Sequence, residues 1–253
     1  IKRKKFKRLA GVANMGQLKQ PINLAFDAVD SLYVSDTRRR QVLVYDAQGR
    51  HTRTIGDGKS FRPSGVAIYG DRLIVSDMKN HRILVLNKST GSQISEFGGP
   101  GVKPGQMSFP ANIALDKEGN IYVSEPITGR VQKFSAAGEL KKTFGRLGKR
   151  MGELVRPKGI DVDDAGRLWV VDAATEHAQI FDKKGRLLLF FGGNNNKPGS
   201  MYLPSGISVT KDPENLEVLA PYVDENFAAE ALVIVVSQYG KRQITIYALG
   251  KRK

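Results

Sequence analysis

The chain of 253 residues contains no cysteine, three histidines and one tryptophan. Without cysteine there can be no disulfide framework, no thiolate-held zinc, no thiol nucleophile and no covalently attached c-type haem. His51, His81 and His177 are too few for a His-rich metal site. No apolar run approaches the ~18 residues that a membrane span needs. The longest, 231–236, has the length of a strand. Acid is also scarce: 25 Asp and Glu stand against 40 Lys and Arg, a formal net charge of +15. A hydrophobic share of 40% is too high for a disordered chain. The first residue is Ile1 rather than Met, which predicts cutting or processing upstream. The missing cysteines suit an extracytoplasmic home, periplasmic or secreted, and that is the expected compartment.

What the chain does have is repetition. Prolines at 21, 63, 110, 157 and 204 each open a short apolar segment, as in Pro63-Ser64-Gly65-Val66-Ala67-Ile68. A second segment follows each (32–36, 73–77, 121–125, 168–172, 234–238), then a third (41–45, 82–86, 130–134, 177–181, 243–247). A fourth ends at Gly56, Gly98, Gly145 and Gly192. The segments are rich in Val, Ile, Tyr and Phe, as strands are. Between them lie tetrads such as Asp46-Ala47-Gln48-Gly49 and Asp182-Lys183-Lys184-Gly185. Such a tetrad suits a type I turn closed by a left-handed glycine. Four antiparallel strands at a period of about 45 residues describe propeller blades. The predicted fold is therefore an all-β propeller, a single domain over 1–253 with five visible blades. The fifth blade lacks a fourth strand. Residues 5–11 are predicted to supply it and close the ring; a sixth blade with its front half upstream of Ile1 is the alternative.

Leu32-Tyr33-Val34-Ser35-Asp36, Ile121-Tyr122-Val123-Ser124-Glu125, Met78-Lys79-Asn80-His81-Arg82-Ile83-Leu84-Val85 and the frame from Gly159 to Asp172 resemble the NHL-repeat family of propellers. The likeness covers nearly the whole chain outside 211–230, and it is nearest to the small secreted or periplasmic bacterial type. It implies a propeller, most often six-bladed in that family. It leaves function open, since the family includes RNA-binding modules, extracytoplasmic sensors and scaffolds, and a few lyases or hydrolases.

In a propeller, the loops after the second strands and the loops between blades open on one face. Most of the excess positive charge falls there, densest at Arg38, Arg39, Arg40, Lys79, Arg82, Arg146, Lys149, Arg150, Arg156, Lys241 and Arg242. Such a face attracts anions in a salt-dependent way. The termini are basic as well, whereas the insertion 210–230 in the last blade is acidic. It is expected either to form a short helix that docks a partner or to hang free. Stacking aromatics on the basic face are few: Phe61, Phe109, Tyr202 and Tyr239.

Candidate chemistry is thin. The acid that closes each second strand (Asp36, Asp77, Glu125, Asp172) is expected to cap loop N–H groups, with Gln238 as its neutral counterpart in the last blade. Asp161, Asp163 and Asp164 brush against a calcium loop, but Ala165 offers no ligand oxygen and a hairpin explains them. Lyase-like and lactonase-like propellers bind metal on the axis; here the axial places hold Asn23, Ser64, Asn112, Lys158 and Ser205. His81 and His177 are expected to be solvated loop residues, and Trp169 to pack between blades. These readings lead to a non-catalytic scaffold without cofactor or metal. It would dock an acidic protein, an acidic polysaccharide or an electron-transfer protein through its basic loops. An RNA-binding module is the alternative, and a metal-dependent lyase or lactonase the second.

Overall fold

A computed structural model describes residues 16–193, 197–240 and 243–253. The chain is almost wholly β, with five antiparallel sheets in a propeller arrangement. Its described residues divide into two compact units, 16–143 and 144–253. The predicted pairing of 5–11 with the last blade lies outside the described residues.

The first unit holds three blades. Blade 1 is β1 (Pro21–Phe26), β2 (Leu32–Asp36), β3 (Gln41–Tyr45) and β4 (His51–Ile55). Blade 2 is β5 (Pro63–Tyr69), β6 (Arg72–Asp77), β7 (Arg82–Asn87) and β8 (Gln93–Gly98). Blade 3 is β9 (Ile113–Leu115), β10 (Ile121–Glu125), β11 (Arg130–Phe134) and β12 (Leu140–Phe144). Each sheet runs in sequence order, as hairpin connections require. Strands with apolar residues on both faces, such as Arg72–Asp77, are buried on both, because blades stack sheet on sheet. Tyr33, Val42, Val44 and Ile55 of blade 1 pack with Val66, Leu73, Val75 and Leu84 of blade 2. Ala67, Ile74 and Ile83 of blade 2 then pack with Ile113, Ile121, Val123 and Phe134 of blade 3. Burying each large side chain contributes about 1.5–3 kcal/mol.

The second unit holds two blades. Blade 4 is β13 (Pro157–Val162), β14 (Leu168–Asp172), β15 (His177–Phe181) and β16 (Leu187–Gly192). Blade 5 is β17 (Pro204–Thr210), β18 (Phe227–Ser237) and β19 (Ile244–Arg252), three strands among the described residues. Trp169 is buried among Ala178, Met201, Ile207 and Val233, the inter-blade role expected of it. The insertion folds into a helix α1 (Pro213–Leu219) and a 3-10 turn (Ala220–Tyr222), and its tail joins β18. Asp212 caps α1 by accepting the Glu214 N–H at 3.1 Å.

The hairpin tetrads fold as expected. Asp46 accepts the Gly49 N–H through its backbone carbonyl, and its carboxylate accepts those of Gln48 and Arg50. Gly49 sits at φ 79° and Gly185 at φ 82°, where a side chain would be strained. The blade-to-blade loops share a second device. After the last strand comes a left-handed glycine, and a buried apolar side chain from the loop lies against it. Phe61 covers Gly56, Met107 covers Gly98 and Met201 covers Gly192.

Candidate binding surface

The acid at the end of each second strand organises the loops around it. Asp36 accepts the N–H groups of Lys19, Gln20 and Arg39. Asp172 does the same for Val155, Arg156, Ala174 and Thr175. Both are fully buried, so the capping role expected of them holds, and their negative charge is spent inside the fold. In blade 5 the register places Ser237, not Gln238, opposite the opening proline, as Asp36 stands opposite Pro21. The Ser237 hydroxyl accepts the Tyr202 N–H at 3.2 Å. The sequence alignment slips here because β18 is an eleven-residue strand that begins inside the insertion.

In the first unit the loops of blades 1 and 2 interlock. The Thr37 hydroxyl donates to the Pro63 carbonyl at 2.7 Å, and Met78 donates to the Arg62 carbonyl at 2.9 Å. Lys79 Nζ donates to the Lys59 carbonyl at 2.9 Å, and Asn80 to that of Ser60 at 3.0 Å. Arg38, Arg40, Lys59, Arg62 and Lys79 are thereby gathered on one exposed loop surface. Arg40 reaches it through a left-handed backbone, φ 59°. Arg39 is half-buried and braced, its Nη1 on the Gln17 carbonyl at 3.0 Å. Asp57, in the loop that carries Lys59, accepts the side chain and backbone of Ser60 and the N–H of Lys59. Those bonds hold its carboxyl well below the usual carboxylate range.

Arg82 is placed differently. Its guanidinium bonds the buried Asp77 at 3.1 Å and pairs with Glu96 of β8. Blade 3 shows what this position does when fully enclosed. Arg130 pairs with the buried Glu125 at 2.9 Å and donates to the carbonyls of Val102, Lys103 and Gln106. Arg130 is thus a clamp on the loop that crosses in from blade 2, whereas Arg82 ties β6 to β8.

In the second unit, Arg146 pairs with Glu153 at 2.8 Å, and the Arg150 N–H bonds the same carboxylate. Hydrogen bonds from Arg150 and Arg146 lower the Glu153 pKa. Lys149, Arg150 and Arg156 are exposed. Lys241 and Arg242 lie outside the described residues.

The histidines differ from expectation. His81, left-handed at φ 55°, accepts the Phe109 N–H on Nδ1 at 3.1 Å and meets that ring edge-on at 4.5 Å. His177 packs against Phe190 at 6.0 Å. Neither is a simple solvated loop side chain: the loop after β8 brings Phe109 onto His81, and the neighbouring strand β16 brings Phe190 onto His177. Phe109 itself is 46% exposed and lies against His81, while Phe61 is buried.

Along the first strands, Asn23 donates to the Asn112 side-chain oxygen at 2.8 Å, and the Ser64 hydroxyl donates to the Pro110 carbonyl at 2.8 Å. In the second unit, burial first and Arg156 second push the Lys158 amine below its usual value. Asp161, a residue of β13, accepts the Val209 N–H at 2.7 Å, and burial raises its pKa. Asp163 is engaged by Ala165, Arg167 and Trp169 in a hairpin turn. No cluster of three metal-binding side chains occurs among the described residues. No helix among them is long and apolar enough to cross a membrane.

Fold and loop chemistry together define a β-propeller with a cationic loop surface on its first two blades. No protein-family model matches the chain. Part of it is similar to the Drosophila melanogaster protein brain tumor, with 28% identity over 133 residues, 49% of this chain and 12% of that protein's length. The whole fold is similar to a streptogramin B lyase, with a TM-score of 0.58 and 15% identity over 92% of this chain and 70% of the other. It is equally similar to a catalytically inactive virginiamycin B lyase from Staphylococcus aureus with quinupristin: TM-score 0.58, 14% identity, 90% and 69% coverage. At such identity the likeness establishes the fold. It also overturns the expectation of a non-catalytic protein. That expectation rested on the lack of convergent catalytic groups, yet the solved folds that resemble this one include enzymes.

Proposed function

We propose that the protein belongs with the NHL-type propellers and docks an acidic protein through the loop surface of blades 1 and 2. The observation that carries this reading is the separation of charge: Arg38, Arg40, Arg62 and Lys79 stand exposed, while Asp36 and Asp77 beneath them are buried and saturated with N–H donors. A surface of this kind accelerates encounter with anions and loses that advantage as salt rises. We place the setting outside the cytoplasm as part of the same proposal.

Poly-L-glutamate is a sufficient probe. Its affinity should fall at least tenfold between about 50 and 200 mM salt, in the manner of polyelectrolyte binding. Arg38→Ser combined with Arg40→Asn should weaken it further, asparagine being chosen because it tolerates the left-handed backbone. Salt-insensitive binding, or an unaffected variant, would refute the reading.

A second reading, single-stranded RNA, is favoured by one feature: the half-exposed Phe109 ring beside a cationic loop, a combination that stacks bases and holds phosphates. Poly-uridylate binding that drops on Phe109→Ala while poly-L-glutamate binding persists would favour RNA.

A further inference from the structure

Outer strands of blades are sheet edges, and edges are normally blunted with polar or charged side chains. The outer strands β4, β8 and β12 largely follow that rule. β4 carries Thr52 and Arg53, β8 carries Gln93 and Glu96 with one exposed apolar side chain, Ile94, and β12 carries Lys141 and Lys142. In blade 5 the outermost described strand, β19, exposes Ile244 and Ile246 but alternates them with other residues and ends in Lys251 and Arg252. β16 departs furthest, with three exposed apolar residues in a row. β16 reads Leu-Leu-Leu-Phe-Phe-Gly, and Leu188, Leu189 and Phe190 are 51%, 46% and 44% exposed. Packing inside the blade does not require this. Of the strand's large side chains, Phe191, itself half-buried, packs against the core, edge-on to Trp169 and Tyr247. Among the described residues, no strand pairs with the outer side of β16. Gly193 donates to the Glu176 carbonyl at 2.8 Å, so the antiparallel alternation turns the N–H and C=O of Phe190 and Gly192 away from β15.

We propose that β16 is a docking edge for an extended peptide segment of a partner protein, apolar in alternate positions and acidic at its carboxyl end. Two observations select this occupant. The first is area. A six-residue strand is about 20 Å long. It offers a few hundred Å² of contact, well short of the roughly 800 Å² per partner that a stable rigid interface buries. A peptide that adds a strand gains main-chain hydrogen bonds from so narrow a site; a second folded copy does not gain enough. The second is charge. The turn that leads into β16 exposes Lys183 and Lys184. An antiparallel incoming strand brings its carboxyl end to that turn, so acidic residues there meet both lysines. The site belongs to the second unit, and the proposal does not depend on what binds the loops of blades 1 and 2.

The test uses the full chain and a synthetic peptide of about ten residues, alternating Val and Thr and ending in two Asp, titrated by fluorescence anisotropy and amide hydrogen exchange. The expected result is binding with new protection confined to the amides of β16. Leu188→Lys should weaken it at least tenfold with little change in melting temperature, because the side chain is half exposed. Arg38→Ser with Arg40→Asn should leave it unchanged. Binding that ignores Leu188→Lys, protection that maps elsewhere, or no binding at millimolar peptide would overturn the proposal. So would a concentration-dependent dimer in ultracentrifugation that Leu188→Lys abolishes, since the occupant would then be a second copy.

Discussion

Blades 2 and 5 meet the same requirement with different chemistry. Each must hold the loop that crosses in from the preceding blade over the end of its second strand. Blade 2 uses Asp77, whose carboxylate accepts the N–H groups of Arg62, Lys79 and Asn80 and also bonds the Arg82 guanidinium. Blade 5 uses Ser237, whose hydroxyl accepts the N–H of Tyr202. A carboxylate offers several acceptor sites and a charge; a hydroxyl offers two lone pairs. The carboxylate can therefore bond the crossing loop, the loop after the second strand and an arginine at once. In loops 37–40 and 78–81 the buried acid beneath each holds the backbone while Arg38, Arg40 and Lys79 project outward.

Removing such an anchor should hurt most where a buried cation depends on it. Glu125→Ala strands Arg130, only 7% exposed, and should cost about 3–5 kcal/mol in urea denaturation. A loss under about 1 kcal/mol would mean that the three carbonyls facing Arg130 suffice without the carboxylate. Asp77→Ala should come next, at about 2–3 kcal/mol, because several N–H groups lose their acceptor while Arg82 keeps Glu96. Ser237→Ala should cost no more than about 1 kcal/mol. If Asp77→Ala and Ser237→Ala cost the same, the contrast between the two blades has no energetic content.

A smaller effect should appear at Asp161. Burial holds its folded pKa above the ordinary 3.8. The folded state therefore keeps that proton longer than the unfolded state does, and stability drains away as pH rises from about 4 through the folded pKa. Asp161→Asn, which preserves an acceptor for Val209, should match the wild type near pH 3 and exceed it at neutral pH. Thermal melts across that range would show it, and parallel curves would contradict it. Smallest of all, Arg38→Ser should change stability by under about 0.5 kcal/mol, as expected for an exposed side chain with no ion pair among the described residues.

The blades were legible in the sequence because their opening prolines, turn glycines and strand-closing acids recur at near-constant spacing. Each marks a backbone need that only a few residue types meet. The loop surface was legible in part. Arg38, Arg40 and Lys79 follow from position alone, since loops after second strands share a side. The fate of Arg82 does not, because Glu96 lies on a different strand and no local spacing brings the two together. Ser237 was missed because an insertion shifted the register of β18, and one residue of slip changes which side chain faces the loop. β16 carried a readable signal that periodicity alone passes over: its apolar run fits a strand, and only comparison with the polar outer strands β4, β8 and β12 marks it as unusual.

The sulphur plugs in two of the blade-to-blade loops have a practical consequence. Met107 and Met201 are wholly enclosed against Gly98 and Gly192. Oxidants in solution reach these thioethers only when the loop lifts away, and the sulfoxide that results is too polar to return. The rate at which peroxide converts each methionine, read by mass spectrometry, is thus a built-in clock for the breathing of that loop, independent of any ligand.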